Sequence, residues 1–214
     1  MLKKSLGIFF YAVIIGQSAC NNDEPIENSS DAQLGSTKTQ VQKKPPEPVL
    51  DRWDIADRET IRLQPSVFSQ LPENIVLELQ SRQCTIPQIY DDPKPHNVIS
   101  GEFQKKGQTD WAILCSKDLT SSILIFWNGS VENYSVLLSL PDKGALQGIG
   151  NDRIGYSRYI SVVGKAFIEK HYRAYGGTQP PSIDHEGIAD GQVGKGSSVH
   201  YYHNGKWLQL TGAD

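Results

Sequence analysis

Apolar positions follow several distinct rhythms along the chain. Residues 6–15 form an almost unbroken apolar run behind Lys3 and Lys4. From Asn21 to Val49 apolar side chains are sparse and scattered among Asn, Asp, Glu, Ser, Thr, Gln and Lys, ending in Lys43-Lys44-Pro45-Pro46-Glu47-Pro48. Helical spacing then appears: Leu71-Pro72-Glu73-Asn74 opens a predicted helix reaching about Arg82, with Pro at an early position and Ile75, Val76 and Leu79 on one side. Residues 98–103, 111–115, 123–127 and 134–138 are short β-branched or aromatic runs separated by Gly, Asn, Asp and Ser, which predicts an antiparallel meander. Over 160–175 the period changes again, placing Ile160, Val163, Phe167, Ile168, His171 and Tyr175 on one helical face, with Gly176-Gly177 as the stop. Residues 198–203 and 207–210 flank Asn204-Gly205, a pair suited to the tight turn of a hairpin. The expected fold class is α+β: an antiparallel β meander and a C-terminal hairpin with about two helices, in one domain over 50–214.

The first apolar run is too short to span a bilayer. About ten helical residues cover about 15 Å, and a hydrocarbon core needs about 30 Å. Two lysines before the run and the small pair Ser18-Ala19 after it fit an export signal over 1–19. With Cys20 next in line, this stretch resembles a bacterial lipoprotein precursor, in which small residues precede the modified cysteine. The resemblance implies acylation of Cys20 and anchoring in the bacterial envelope. Asn21 in place of Asp then favours the outer membrane, with the protein facing the periplasm. The alternative is an ordinary secretory signal cut nearby, giving a secreted or periplasmic soluble protein. Residues 20–49 offer too little to bury and are expected to act as a tether with a reach of about 30 Å.

Charge narrows the partners. The formal net charge is −3, and loss of Lys3 and Lys4 with the signal makes it more negative. Basic residues after the tether are scattered, which argues against nucleic acid as a partner. The expected partners are the membrane, through the N-terminal lipid, and an envelope protein or surface polymer.

Of the three cysteines, Cys20 belongs to the export signal, leaving Cys84 and Cys115. An even pair in an oxidising compartment suggests a disulfide. Two buried unpaired thiols are the alternative, since Cys115 ends an apolar strand.

Two loops carry the candidate chemistry. Residues 102–110 run from Glu102 through Gly107 to Asp110, and residues 182–190 from Ser182 through Gly187 to Asp190. Both resemble the strand-loop-strand calcium motif of FG-GAP repeats, which implies partial propeller-like units and calcium as a cofactor. A hard cation needs about six or more oxygens, and alternate side chains of a tight loop can supply them. Lys106 and Gln104 occupy positions where the first loop needs carboxylates, so it reads as a plain turn built on Gly107 and Asp110. The second loop keeps Ser182, Asp184, Glu186 and Asp190 as candidate metal ligands. A plain solvated turn is the alternative.

Asp184-His185-Glu186 is also the candidate for acid or base work in an envelope hydrolase, provided it converges with His200 or His203. No nucleophile motif accompanies it: Gly194-Lys195-Gly196-Ser197-Ser198 lacks the nucleophile-elbow spacing. Gly148 to Gly155 misses both nucleotide-loop spacings and reads as a mobile turn. His171 reads as a hydrogen-bonded core imidazole. Tyr172, Tyr175, Tyr201, Tyr202 and Trp207 read as packing between the final hairpin and the late helix, with stacking on a glycan or peptide as the alternative. The function expected from these residues is a non-catalytic binding or structural domain; the alternatives are the hydrolase and a calcium-stabilised module.

Overall fold

The structure is a computed structural model that describes residues 49–210. The expected signal, Cys20 and nearly all of the expected tether lie outside the described residues.

The described chain begins with helix α1 (Arg52–Glu59), which the apolar pattern does not announce. Its start is set by polar chemistry. The Asp51 carboxylate accepts from the Trp53 and Asp54 amides, and the Asp54 carboxylate accepts in return from the Asp51 N–H, so several orphan donors are satisfied. Strand β1 (Arg62–Leu63) pairs antiparallel with β2 (Ile86–Pro87). Between them lies helix α2 (Glu73–Ser81), as predicted: Pro72 is its N-cap, and Ile75 and Leu79 are fully buried.

The expected meander is present. Strands β3 (Val98–Gly101), β4 (Asp110–Lys117), β5 (Thr120–Phe126) and β6 (Tyr134–Pro141) form one antiparallel sheet in chain order. Both faces of its centre are covered. On β4, Ile113 and Cys115 pack with α2, while Ala112 and Leu114 pack on the opposite side with Ile123 and Ile125 of β5. Cys84, just past α2, forms a disulfide with Cys115, with a Cα–Cα distance of 5.4 Å.

Strands β7 (Leu146–Gly148) and β8 (Ile154–Tyr156) form a small hairpin where the sequence suggests a mobile glycine-rich turn. Gly150, Asn151 and Asp152 all take positive φ in its connection, a conformation that Gly and Asn adopt readily. The second large sheet joins β9 (Arg158–Val163), β10 (Gly187–Gln192), β11 (Ser197–His203) and β12 (Lys206–Leu210), again antiparallel and in chain order. The Asn204-Gly205 hairpin joins β11 to β12 as expected.

Two expectations are corrected here. The helix predicted over 160–175 is a strand up to Val163 and a helix, α3 (Lys165–Tyr175), only after the N-cap Gly164. Ile160, Val162 and Val163 are β-branched and pair with β10, so tertiary pairing overrides the apparent helical period. Among the described residues there are three α-helices, and the α+β class with its antiparallel sheets is as expected. Strand β10 was also hidden, because Gly187 and Gly191 make it look like a loop. A Cβ at Gly187 would lie 2.7 Å from the His200 carbonyl oxygen, and one at Gly191 would meet the Tyr159 ring, so close packing requires both glycines.

The two sheets meet at β3 and β9 through Asn97. Its amide donates to the Arg158 carbonyl and its carbonyl accepts from the Ile160 N–H. One hydrophobic cluster joins the sheets through Leu114, Ile125, Tyr156, Ile160 and Ile188. Another packs α3 on the second sheet through Val163, Ile168, Ala189, Val199 and Tyr201.

Candidate functional site

The second loop is spread out by its neighbours. Asp190 lies on β10, where both carboxylate oxygens accept from the Arg158 guanidinium at 2.8 and 2.9 Å. Glu186 is held at β3's exit: its carboxylate accepts from the Glu102 N–H at 2.9 Å, and its own N–H donates to the Glu102 carbonyl. The Ser182 carbonyl accepts from the Tyr201 hydroxyl, and Asp184 is exposed. Among the described residues no group of three or more His, Cys, Asp or Glu side chains is placed to hold a metal ion.

The first loop has the arrangement its residues predict. Buried Asp110 accepts from the Gln104 N–H, the Gln108 side chain and the Asn128 N–H, while Gly107 turns the chain at φ +80°.

Of the candidate acid–base residues, His185 and His203 flank one Tyr201 ring, and His200 does not join them. His185 is stacked on Tyr201, with ring centroids 4.3 Å apart, and its Nδ1–H donates to the Glu186 carbonyl. His203 lies near the same Tyr201 ring, at 6.5 Å. His200, one residue away on the strand, projects to the other face and is buried. Burial pushes its pKa down; Asp190 opposes the shift and Arg158 adds to it.

A buried polar centre instead ties α1 and the β1–β2 pair to the first large sheet. Asp142 is 1% exposed and accepts from the hydroxyls of Ser116 and Ser121 and from Arg62, whose guanidinium also meets Asp57 at 2.6 Å. Burial outweighs Arg62 at Asp57 and raises its pKa. The Tyr156 hydroxyl adjoins Ser121, and burial pushes that phenol well above its ordinary value. With every polar group answered from within, this centre reads as structural.

The cavity with unanswered chemistry lies against α3. Phe167, Lys170, His171, Ala174 and Tyr175 recur three or four residues apart and so share one helix face. Opposite them is the β10–β11 turn, Gly194-Lys195-Gly196 followed by Ser197, whose glycine at φ +68° lets the chain reverse. The cleft between them has a volume of about 380 Å³. His171 is only 6% exposed, and its Nε2, itself sealed from the cleft's solvent, has no hydrogen-bond partner among the described residues. Its ring is 5.8 Å from Phe167 and 4.9 Å from Tyr175, both of which are exposed, at 43% and 50%. Among the described residues no carboxylate lines the cleft. Glu169, the neighbouring acid on α3, pairs with Lys165 at 3.7 Å.

The expected hydrogen-bonded core histidine is therefore half right: His171 is buried, but its Nε2 is unsatisfied. The predicted aromatic set divides. Tyr201 is in the α3-side core, Tyr202 and Trp207 pack on Trp127 at 4.8 and 5.7 Å, and Tyr175 opens onto the cleft. Lys195 escapes sequence reading because its turn matches no motif, and only the fold sets it opposite α3.

A larger groove of about 530 Å³ lies beside α1 and β8, with Glu59, Asp91 and Asp92 at its edge and Ile61, Ile89 and Ile154 along its walls. No unsatisfied buried polar atom belongs to its lining, so the α3 cleft is the better candidate. Comparison with protein-family models, with curated proteins and with solved structures finds no match.

Proposed function

We propose that this is an exported protein, lipid-anchored to the bacterial envelope at Cys20, whose domain binds an envelope component non-catalytically in the α3 cleft. The observation that carries the binding reading is the cleft itself: the exposed aromatic rings of Phe167 and Tyr175 on one helix face, faced across the concavity by a glycine-flanked lysine. Ligand sites combine apolar walls with a few placed polar groups, and about 380 Å³ falls within their usual range. The export signal and the disulfide between Cys84 and Cys115 support an oxidising compartment.

The two halves of this reading are tested separately. A palmitate label incorporated by the wild-type chain and lost in Cys20→Ser, together with release of that variant from the membrane fraction, supports the anchor; an unlabelled wild type overturns it. A photo-reactive phenylalanine at Tyr175 should cross-link an envelope component in cells, whereas one at Leu77 on the exposed side of α2 should not. Equal cross-linking from both positions removes the case for the cleft.

A further inference from the structure

Resting on the reading of the α3 cleft as the ligand site, we infer that it is built for a carboxylate-bearing sugar unit of an envelope polymer. The first argument is charge. The chain as a whole carries a net charge of −3, yet among the described residues the cleft is lined by two lysines, Lys170 and Lys195, and by no carboxylate. Neither lysine forms an ion pair among the described residues. Two unneutralised positive charges facing one concavity favour an anion and disfavour a cation.

The second argument is shape. Phe167 and Tyr175 leave apolar ring surface exposed at the cleft, which matches the C–H faces of a pyranose better than a compact inorganic anion. The third is hydrogen bonding. Ser197 adds a hydroxyl at the lining, so the cleft can answer a sugar oxygen as well as charge. Lysines act as mobile point charges rather than fixed forks, which suits a carboxylate on a flexible polymer. The aromatic faces bind the ring, and the ammonium groups select the acid.

The test is amide chemical-shift titration of the whole chain with D-glucuronate, D-glucose and inorganic phosphate at one pH and ionic strength. Glucuronate is expected to shift the amides of 167–175 and 194–197, with an affinity at least tenfold tighter than glucose. Lys170→Gln with Lys195→Gln, both exposed or half-exposed and so benign to folding, should reduce glucuronate affinity to the level of glucose. Phe167→Ala with Tyr175→Ala should weaken both sugars. Raising the salt concentration should weaken glucuronate alone. Equal affinity for glucose and glucuronate would overturn the acidic specificity while leaving the cleft a sugar site. Phosphate binding as tightly as glucuronate would overturn the sugar. If none of the three probes shifts the cleft amides, the inference fails, while cross-linking from Tyr175 decides separately whether the cleft is a binding site.

Discussion

Replacing Asp142 tests whether the buried polar centre holds the β1–β2 pair to the first large sheet. Its carboxylate accepts from Arg62, Ser116 and Ser121, residues drawn from β1, β4 and β5. In Asp142→Ala, Arg62 keeps Asp57 as a partner, so its charge is not left wholly unpaired. What is lost is one charge-assisted interaction, worth about 1.5–3 kcal/mol, and two hydroxyl hydrogen bonds at about 1 kcal/mol each. The expected loss is therefore about 3–5 kcal/mol, as is usual when a buried pair loses one partner. For a domain of this size each kcal/mol moves Tm by about 2–4 °C, which predicts a fall of roughly 6–20 °C. The assay is denaturant unfolding of the whole chain, with a double-mutant cycle to Ser121→Ala. A coupling energy above about 0.5 kcal/mol is expected for residues in one network. A loss below about 1 kcal/mol, or strict additivity with Ser121→Ala, would refute the account of this centre.

The remaining predictions concern other buried groups. Asp190→Ala should cost about 3–5 kcal/mol in denaturant unfolding, because it leaves Arg158 buried without its partner. With Asp190 held by Arg158, saturating calcium should leave the wild-type Tm unchanged, and a calcium-dependent rise would restore the second loop as a metal site. His200 has its pKa lowered by burial, so its contribution is fully present above about pH 6.5 and is lost as pH falls from there toward the folded-state value. Tm measured from pH 8 to 5 should therefore decline on the acid side, and His200→Gln should remove that part of the decline. Cys84→Ser with Cys115→Ser should lower stability by about 3.5 kcal/mol on the loop-entropy estimate, read by denaturant unfolding under non-reducing conditions.

What sequence reading recovered, and what it missed, has a physical pattern. The meander strands, α2 and the Asn204-Gly205 hairpin were legible because the strands are short β-branched or aromatic runs, α2 keeps a helical period, and the hairpin turn is chemically explicit. Gly164 was the hidden boundary: without it in view, Ile160 and Val163 continue the helical period of α3, although they belong to a strand. Gly187 and Gly191 masked β10 because the cue to their role is the neighbouring strand, not the local sequence. The 182–190 loop kept the spacing of a cation motif, but Arg158 lies 32 residues from Asp190 and no local pattern reveals that it takes the carboxylate. His171, Phe167 and Tyr175 were grouped correctly on one face. That the face is an open cleft depends on Lys195, which the chain brings across only through the β10–β11 turn.

Cosedimentation of the whole chain with purified, insoluble cell-wall polymer tests the central claim most directly. The account predicts saturable binding that weakens with salt and falls at least tenfold in affinity in Phe167→Ala with Tyr175→Ala, while Leu77→Ala on α2 binds as wild type. Retention of the wild-type chain no greater than that of the cleft variant, at matched folding, would contradict it.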